Sequence, residues 1–360
     1  MVSQYGFYSS EDGDELITRL EGLPQQILSL AATKSPILPS MVDTLLAIIH
    51  KDKSAQVYIN EIKLVGKIRV KKKVKIGELI FPDHILDMGR MQIQGVKIPE
   101  EAGLVFVFSV GWRKGFLYDL MPLLGEQPQK RDFDIEELLG NLFSYLTFQE
   151  RFKINGKTWE LIFNQRWFPF SHLNNELIKK MISHAKTGWD IDDLLPEIAN
   201  NVKELISEHD IAKQNINYIK EHSAIFETGF HRYLDADYIS CVSVLYPRIE
   251  GLLRSFYRSI GHTEKIKTEK LSEVAITHYG THRINYSLLL PPKFHHYLNH
   301  IYFSNFAPGT LPDVGRHSVA HGEAREGDFN LKSATLAILT IYQLSIFMSE
   351  GGQACRVSAA

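Results

Sequence analysis

What this chain is short of narrows its class before any motif is read. It has two cysteines in 360 residues, Cys241 in an apolar stretch and Cys355 near the end. Neither number nor spacing suits a disulfide framework or a cysteine-based zinc site, which fits a reducing cytoplasm. Charge of one sign is also lacking: 40 Lys plus Arg stand against 42 Asp plus Glu, a formal net charge of −2. Binding to nucleic acid through a global basic field is therefore excluded, and any RNA contact would come from local patches. The opening Met1-Val-Ser-Gln-Tyr5 has no basic region followed by an apolar run, so no export signal is expected. The longest apolar stretch, Leu336 to Met348, reads as too short and too interrupted to cross a bilayer.

What remains is an ordinary globular composition, 44% hydrophobic and 23% charged, long enough for two or three domains. The pattern of the chain predicts an α+β protein. Residues 1–170 form an N-terminal mixed α/β domain with a small, largely antiparallel sheet. Residues 171–214 make a helical connector, 215–350 an all-α bundle and 351–360 a flexible tail. In the N-terminal part, helices are expected over about 14–31, 39–50 and 133–150. From Gln56 to about Tyr118 apolar positions alternate with Lys and Arg (Ile62, Leu64, Ile68, Val70, Val74, Ile76), the period of a β region. Leu104-Val-Phe-Val-Phe-Ser-Val110 is its expected buried central strand. A hairpin is expected over 152–170 about Asn155-Gly156, and the domain boundary between 171 and 190.

The one concentrated basic face is Lys67-Ile-Arg-Val-Lys-Lys-Lys-Val-Lys75. It reads either as a solvated edge strand whose lysines discourage sheet-to-sheet pairing, or as a patch, Lys71, Lys72 and Lys73 included, that guides RNA. Gly111-Trp-Arg-Lys-Gly-Phe-Leu-Tyr-Asp119 groups aromatic and basic residues in a similar way, and an aromatic cluster under a loop is its plainer reading.

Beyond 171 the signals are helical. Ile191, Leu194, Leu195, Ile198, Val202, Leu205 and Ile206 form one stripe with Asp190 as cap. Helices follow over about 211–233 and 235–260, the latter with Pro247 inside and Glu250 and Arg254 in salt-bridge spacing. Another starts at Pro291. Residues 329–348, with Asp328 as cap, are apolar around most of the circumference, which suits either the centre of a bundle or half of a subunit interface. The interface is the expectation.

Chemistry is expected in Leu311-Pro-Asp-Val-Gly-Arg-His-Ser-Val-Ala-His-Gly322. Asp313 can cap a helix and Gly322 can end one, so 314–321 read as about two turns with His321 at the C-terminus, where the dipole favours imidazolium. Arg316 offers a fork of donors to a phosphate. A cation and a proton carrier are the parts needed for metal-free RNA cleavage by the ribose 2′-OH. Spacing alone is weak: about two such Arg-to-His pairs are expected by chance, and Arg166 to His172 is the second one present. On a regular helix positions i and i+5 lie about 140° apart. Pairing two copies across a two-fold axis would bring both Arg and both His residues into one cleft.

With His317 after the Arg, a Gly after the His and a long apolar helix to follow, the segment resembles the HEPN superfamily. Asp235-Ala-Asp-Tyr-Ile-Ser-Cys-Val-Ser-Val-Leu-Tyr-Pro-Arg-Ile-Glu-Gly-Leu-Leu-Arg254 resembles an opening helix of such domains, so the likeness covers roughly 215–350. Ala307-Pro-Gly-Thr-Leu-Pro312 departs from the pattern by interrupting the helix before the Arg. The resemblance implies a homodimeric, cofactor-free, metal-independent endoribonuclease of a toxin or antiphage kind. His321 would transfer the proton, Arg316 hold the phosphate, His317 add a polar contact and Glu250 support them. The alternative is a non-catalytic module that binds RNA, nucleotide or a protein partner. The paired histidines His296/His300 and His317/His321 have zinc-ligand spacing, but no glutamate stands in the protease order and no cysteine joins them, so structural histidines are the expectation there.

Overall fold

Gly103–Val110 carries the longest run of β-favouring apolar residues, and it lies at the middle of a sheet. The structure, a computed structural model, describes residues 5–31, 37–72, 74–125, 129–208, 211, 216–279, 286–303, 315–320, 322–349 and 355–359; for 316, 317 and 355–359 it describes the backbone. Its elements run β1 (Tyr5–Ser9), α1 (Asp14–Leu20), α2 (Leu23–Ala31), β2 (Thr44–Ile49), β3 (Ala55–Ile59), β4 (Lys63–Val70), β5 (Ile85–Gln94), β6 (Gly103–Val110) and β7 (Arg113–Asp119). Then come α3 (Ile135–Thr147), α4 (Gln149–Phe152), α5 (Gly156–Asn164), α6 (Asn175–Thr187), α7 (Leu195–Glu208), α8 (Asn217–Lys220), α9 (Ser223–Leu234) and α10 (Tyr238–Ser259). The last are α11 (Thr268–His278), α12 (Pro291–Tyr297), α13 (Arg316–Ala320), α14 (Leu331–Met348) and β8 (Cys355–Ala359). They divide into two units, Met1–Ile68 with Met88–Gln149 and Cys355–Ala360, and Arg69–Asp87 with Glu150–Ala354.

The first unit is built on a five-stranded sheet of order β1-β7-β6-β2-β3, antiparallel at every junction. Leu45 pairs with Val107 and Val107 with Phe116, so alternate residues of three strands share a face. That face buries Leu16, Leu20 and Leu28 of α1 and α2. The opposite face meets α3, where Phe108 stacks on Phe143 and Gly115 leaves room for Leu146. With both faces covered, β6 has no polar alternation to show. Arg131 and Asp119 form a buried ion pair of 2.7 Å, and Arg131 also donates to the carbonyls of Pro99 and Ala102.

The second unit is helical and wraps α14. Every residue from Ser333 to Met348 is buried, and α7, α10 and α11 pack against it. The expected α+β character holds, with an antiparallel sheet and a helical C-terminal region.

Several expectations fail for identifiable reasons. Residues 39–50 are a short 3-10 turn and then β2, because Leu45-Leu-Ala-Ile-Ile49 is a five-residue apolar run covered on both sides, and such short runs do not distinguish strand from helix. The hairpin about Asn155-Gly156 is the start of α5. Asn155 keeps φ −74° and its side chain accepts from Thr158 N at 2.8 Å, so the pair acts as a helix cap and not as a turn. Val74 and Ile76 lie outside any strand, and Ile76 is exposed. β4 is no edge: it lies between β5 and β8, with Leu64 opposite Ala359. The C-terminal stretch read as a tail therefore supplies a strand. α14 is capped by Asn330, whose side chain accepts from Ser333 N, while Asp328 accepts from Arg325 N. Its burial within its own unit overturns the reading of this helix as half of a subunit interface.

Two substitutions test this architecture by urea denaturation. A Cβ at Gly140 would lie 2.0 Å from the Gly89 carbonyl oxygen, so Gly140→Ala should cost about 1–3 kcal/mol. Asn155→Ala should cost about 1 kcal/mol through the lost cap; no change in the midpoint would contradict the helix start.

Candidate functional site

The Arg316 segment is held by local chemistry at both ends. α13 has five residues, shorter than the two turns expected. Ahead of it, the buried Ser318 hydroxyl donates to the Gly315 carbonyl at 3.1 Å and accepts from Gly315 N at 2.9 Å. Behind it, Gly322 takes φ +75°, the left-handed turn that only glycine adopts without strain. Glu323 N and Ala324 N both then donate to the Ser318 carbonyl, at 2.8 and 3.0 Å. α13 packs against α10. The structure thus gives the path of the backbone at Arg316 and His317, while Asp313, His321 and Lys73 lie outside the described residues.

On α10, Glu250 is buried, and its Oε1 accepts from Arg254 Nε at 2.8 Å and Nη2 at 2.7 Å. This is the i, i+4 pair the spacing implied, and it engages one oxygen of the expected supporting carboxylate. The chance Arg–His pair is structural: Arg166 donates to the Ile301 carbonyl at 3.1 Å, on the π-helical turn Leu298–Tyr302, and His172 is buried against Tyr342.

The lysine run does not form one solvated face. Lys71 is half-buried, and its Nζ donates to the Leu173 carbonyl at 2.6 Å. Burial first, and then the nearby Arg151 charge, push its pKa down to about 7, against an opposing pull from Asp83. Lys72 is exposed. Beneath them lies a polar network that the sequence did not signal. Asp87 is 1% exposed and accepts from Tyr279 Oη at 2.7 Å, Ser287 Oγ at 2.9 Å and Leu288 N at 2.9 Å. Arg151, also buried, donates to the Leu288 carbonyl and Asn175 Oδ1, both at 3.2 Å. Nothing in an Asp at position 87 or an Arg at 151 marks it as buried until the chain is folded.

The aromatic and basic stretch after β6 is a strand, with Phe116 and Tyr118 in the core. Trp112 stays exposed at the hairpin tip, under the Arg113 guanidinium at 5.0 Å. Among the histidines, His296 and His300 stack at 4.3 Å between ring centres. Burial first, then His300 and Lys293, lower the His296 pKa. Among the described residues no group of three or more His, Cys, Asp or Glu side chains could hold a metal ion. A contact missed from the sequence joins His222 Nε2 to Ser255 Oγ at 3.0 Å, with Ser255 donating to Glu221 at 2.7 Å. His222 is buried, which lowers its pKa.

Comparison of the chain with protein-family models, with curated proteins and with solved structures finds no match.

Two outcomes are expected. Asp87→Ala leaves three buried donors without their acceptor and should cost about 3 kcal/mol or more in urea unfolding. Lys71 is neutral in the folded chain above about pH 7 but protonated when unfolded up to about 10.5. Stability attributable to it therefore rises with pH across that window. Lys71→Met should raise the melting temperature more at pH 6.5 than at pH 10, and an equal gain at both would show that Lys71 does not titrate there.

Proposed function

We propose that the chain is a metal-independent endoribonuclease of the HEPN kind, acting on RNA by attack of the ribose 2′-OH and leaving a 2′,3′-cyclic phosphate and a 5′-OH. Arg316 would bind the phosphate and His321 transfer the proton, with His317 as a further polar contact. Glu250 would act at one remove, by fixing Arg254 on the helix beneath. What carries this reading is the local construction of α13: Arg316 opens a helix locked by Ser318 and closed by Gly322, and that helix rests on α10. The sequence anchors of the HEPN resemblance are thus neighbours in the helical unit. A toxin or antiphage role suits such chemistry, with the sheet unit positioning the target or sensing a trigger.

One observation favours the second reading, a non-catalytic module that binds RNA, nucleotide or a protein partner. α14 is engaged throughout by its own unit, so it cannot be the seam that joins two Arg316/His321 pairs. A homodimer would need a different surface.

The test is incubation of the purified chain with a labelled mixed RNA pool in EDTA, beside His321→Ala and Arg316→Ala. Loss of the acid–base residue should slow cleavage about 10²–10⁴-fold, with cyclic phosphate ends on the parent's products. An inert parent, or variants that cut equally well, would leave the binding-module reading.

A further inference from the structure

The helical unit holds a cleft that the proposed ribonuclease chemistry does not use. Its volume is about 160 Å³, and Lys71, Lys72, Asp83, His84, His172, Glu204 and Glu208 are among the residues that line it. Glu204 and Glu208 stand one turn apart on α7, and Lys71 N donates to the His84 carbonyl at 2.8 Å, which holds these two lining residues together.

Lys71 differs from the other cation there. Its Nζ spends one hydrogen on the Leu173 carbonyl, which positions the amine, and a neutral amine in that arrangement keeps its lone pair for the cleft. Arg151, buried and still charged near neutral pH although burial lowers its pKa to about 10, disfavours a second positive charge nearby. Desolvation next to another cation is how a lysine becomes a nucleophile near neutral pH. The rest of the lining sets the ligand's charge. With Lys71 neutral, one lysine faces three carboxylates, so phosphates and carboxylate-bearing compounds are repelled.

We propose that Lys71 is a nucleophilic amine that captures a small uncharged aldehyde in this cleft as an imine. The nitrogen lone pair attacks the carbonyl carbon, giving a carbinolamine. The carbon–oxygen bond then breaks, and the oxygen leaves as water with the two hydrogens the nitrogen gives up. No oxidant or second substrate is needed. His84 and His172 also line the cleft and would relay those protons.

The experiment treats the full chain with propionaldehyde and sodium cyanoborohydride from pH 6 to 9 and reads labelled lysines by peptide mass spectrometry. Lys71 should be trapped about tenfold faster than the exposed Lys72 at pH 7, with its rate levelling off just above pH 7. Glyoxylate, an anionic aldehyde, should show a smaller Lys71-to-Lys72 ratio than propionaldehyde. Lys71→Arg should remove the fast label while circular dichroism stays unchanged; Lys72→Arg should leave it. Labelling of Lys71 no faster than Lys72 at any of these pH values, or only after urea is added, overturns the proposal. RNA cleavage does not enter the readout, so this result stands apart from the ribonuclease test.

Discussion

Burial of α14 is the constraint on which the second unit depends. Leu331–Met348 is long and apolar enough, at a mean hydropathy of 1.4, to pass for a membrane span, yet 89% of it is buried inside the protein. A helix apolar on every side must be surrounded, since each uncovered face would cost hydrophobic free energy in proportion to its area. Its few polar groups then dictate how the surrounding helices are aligned. Gln343 accepts from Ser171 N at 3.1 Å and donates to the Leu289 carbonyl at 3.2 Å. Thr335 meets the Tyr233 hydroxyl at 2.9 Å. Such amide and hydroxyl groups are costly unless paired, so each pair fixes register as well as adding stability.

The end of α14 explains why a stretch read as part of a β region belongs to the helical unit. Arg69 donates to the Ile346 carbonyl at 3.2 Å and to Ser349 Oγ at 3.0 Å, and its guanidinium lies 4.7 Å from the Tyr279 ring centre. A cation at a helix C-terminus meets the negative end of the dipole. Once Arg69 is held there, the chain that follows carries Lys71 to the Leu173 carbonyl, and Asp87 receives three donors from Tyr279, Ser287 and Leu288. A basic run that could have been one surface is divided between interior and solvent.

The two proposals call on opposite chemistry within the helical unit. The α13 segment carries, by sequence, an arginine and two histidines, the residue types proposed to hold and cleave at an anionic phosphate. The cleft at Lys71 has carboxylates in its lining and an amine whose pKa is pushed down to about 7, the setting proposed for an uncharged electrophile. Neither explains the other.

Some of this was legible in the sequence, and the rest depended on long-range contacts. β6 was readable because a continuous apolar run bounded by polar residues needs both faces covered. The apolar stripe that runs from the 3-10 turn Ile191–Leu194, capped by Asp190, into α7, the Glu250–Arg254 pair and the left-handed Gly322 followed from spacings of three or four residues, which local backbone geometry settles. Tertiary structure decided what those spacings leave open. β2 is a strand because β3 and β6 flank it, and Asn155-Gly156 starts a helix because Thr158 is there to be capped. β8 exists through pairing with a strand some 290 residues earlier, between Leu64 and Ala359. The apolar circumference of α14 announced burial but not by what; its own neighbours supplied the cover. For the Arg316 segment the sequence determined the residue types and their order. Whether Lys71 is a surface cation or a desolvated amine was decided first by its burial in the folded chain and then by Arg151, eighty positions away, because a pKa depends on the burial and charges that folding brings and not on neighbours along the chain.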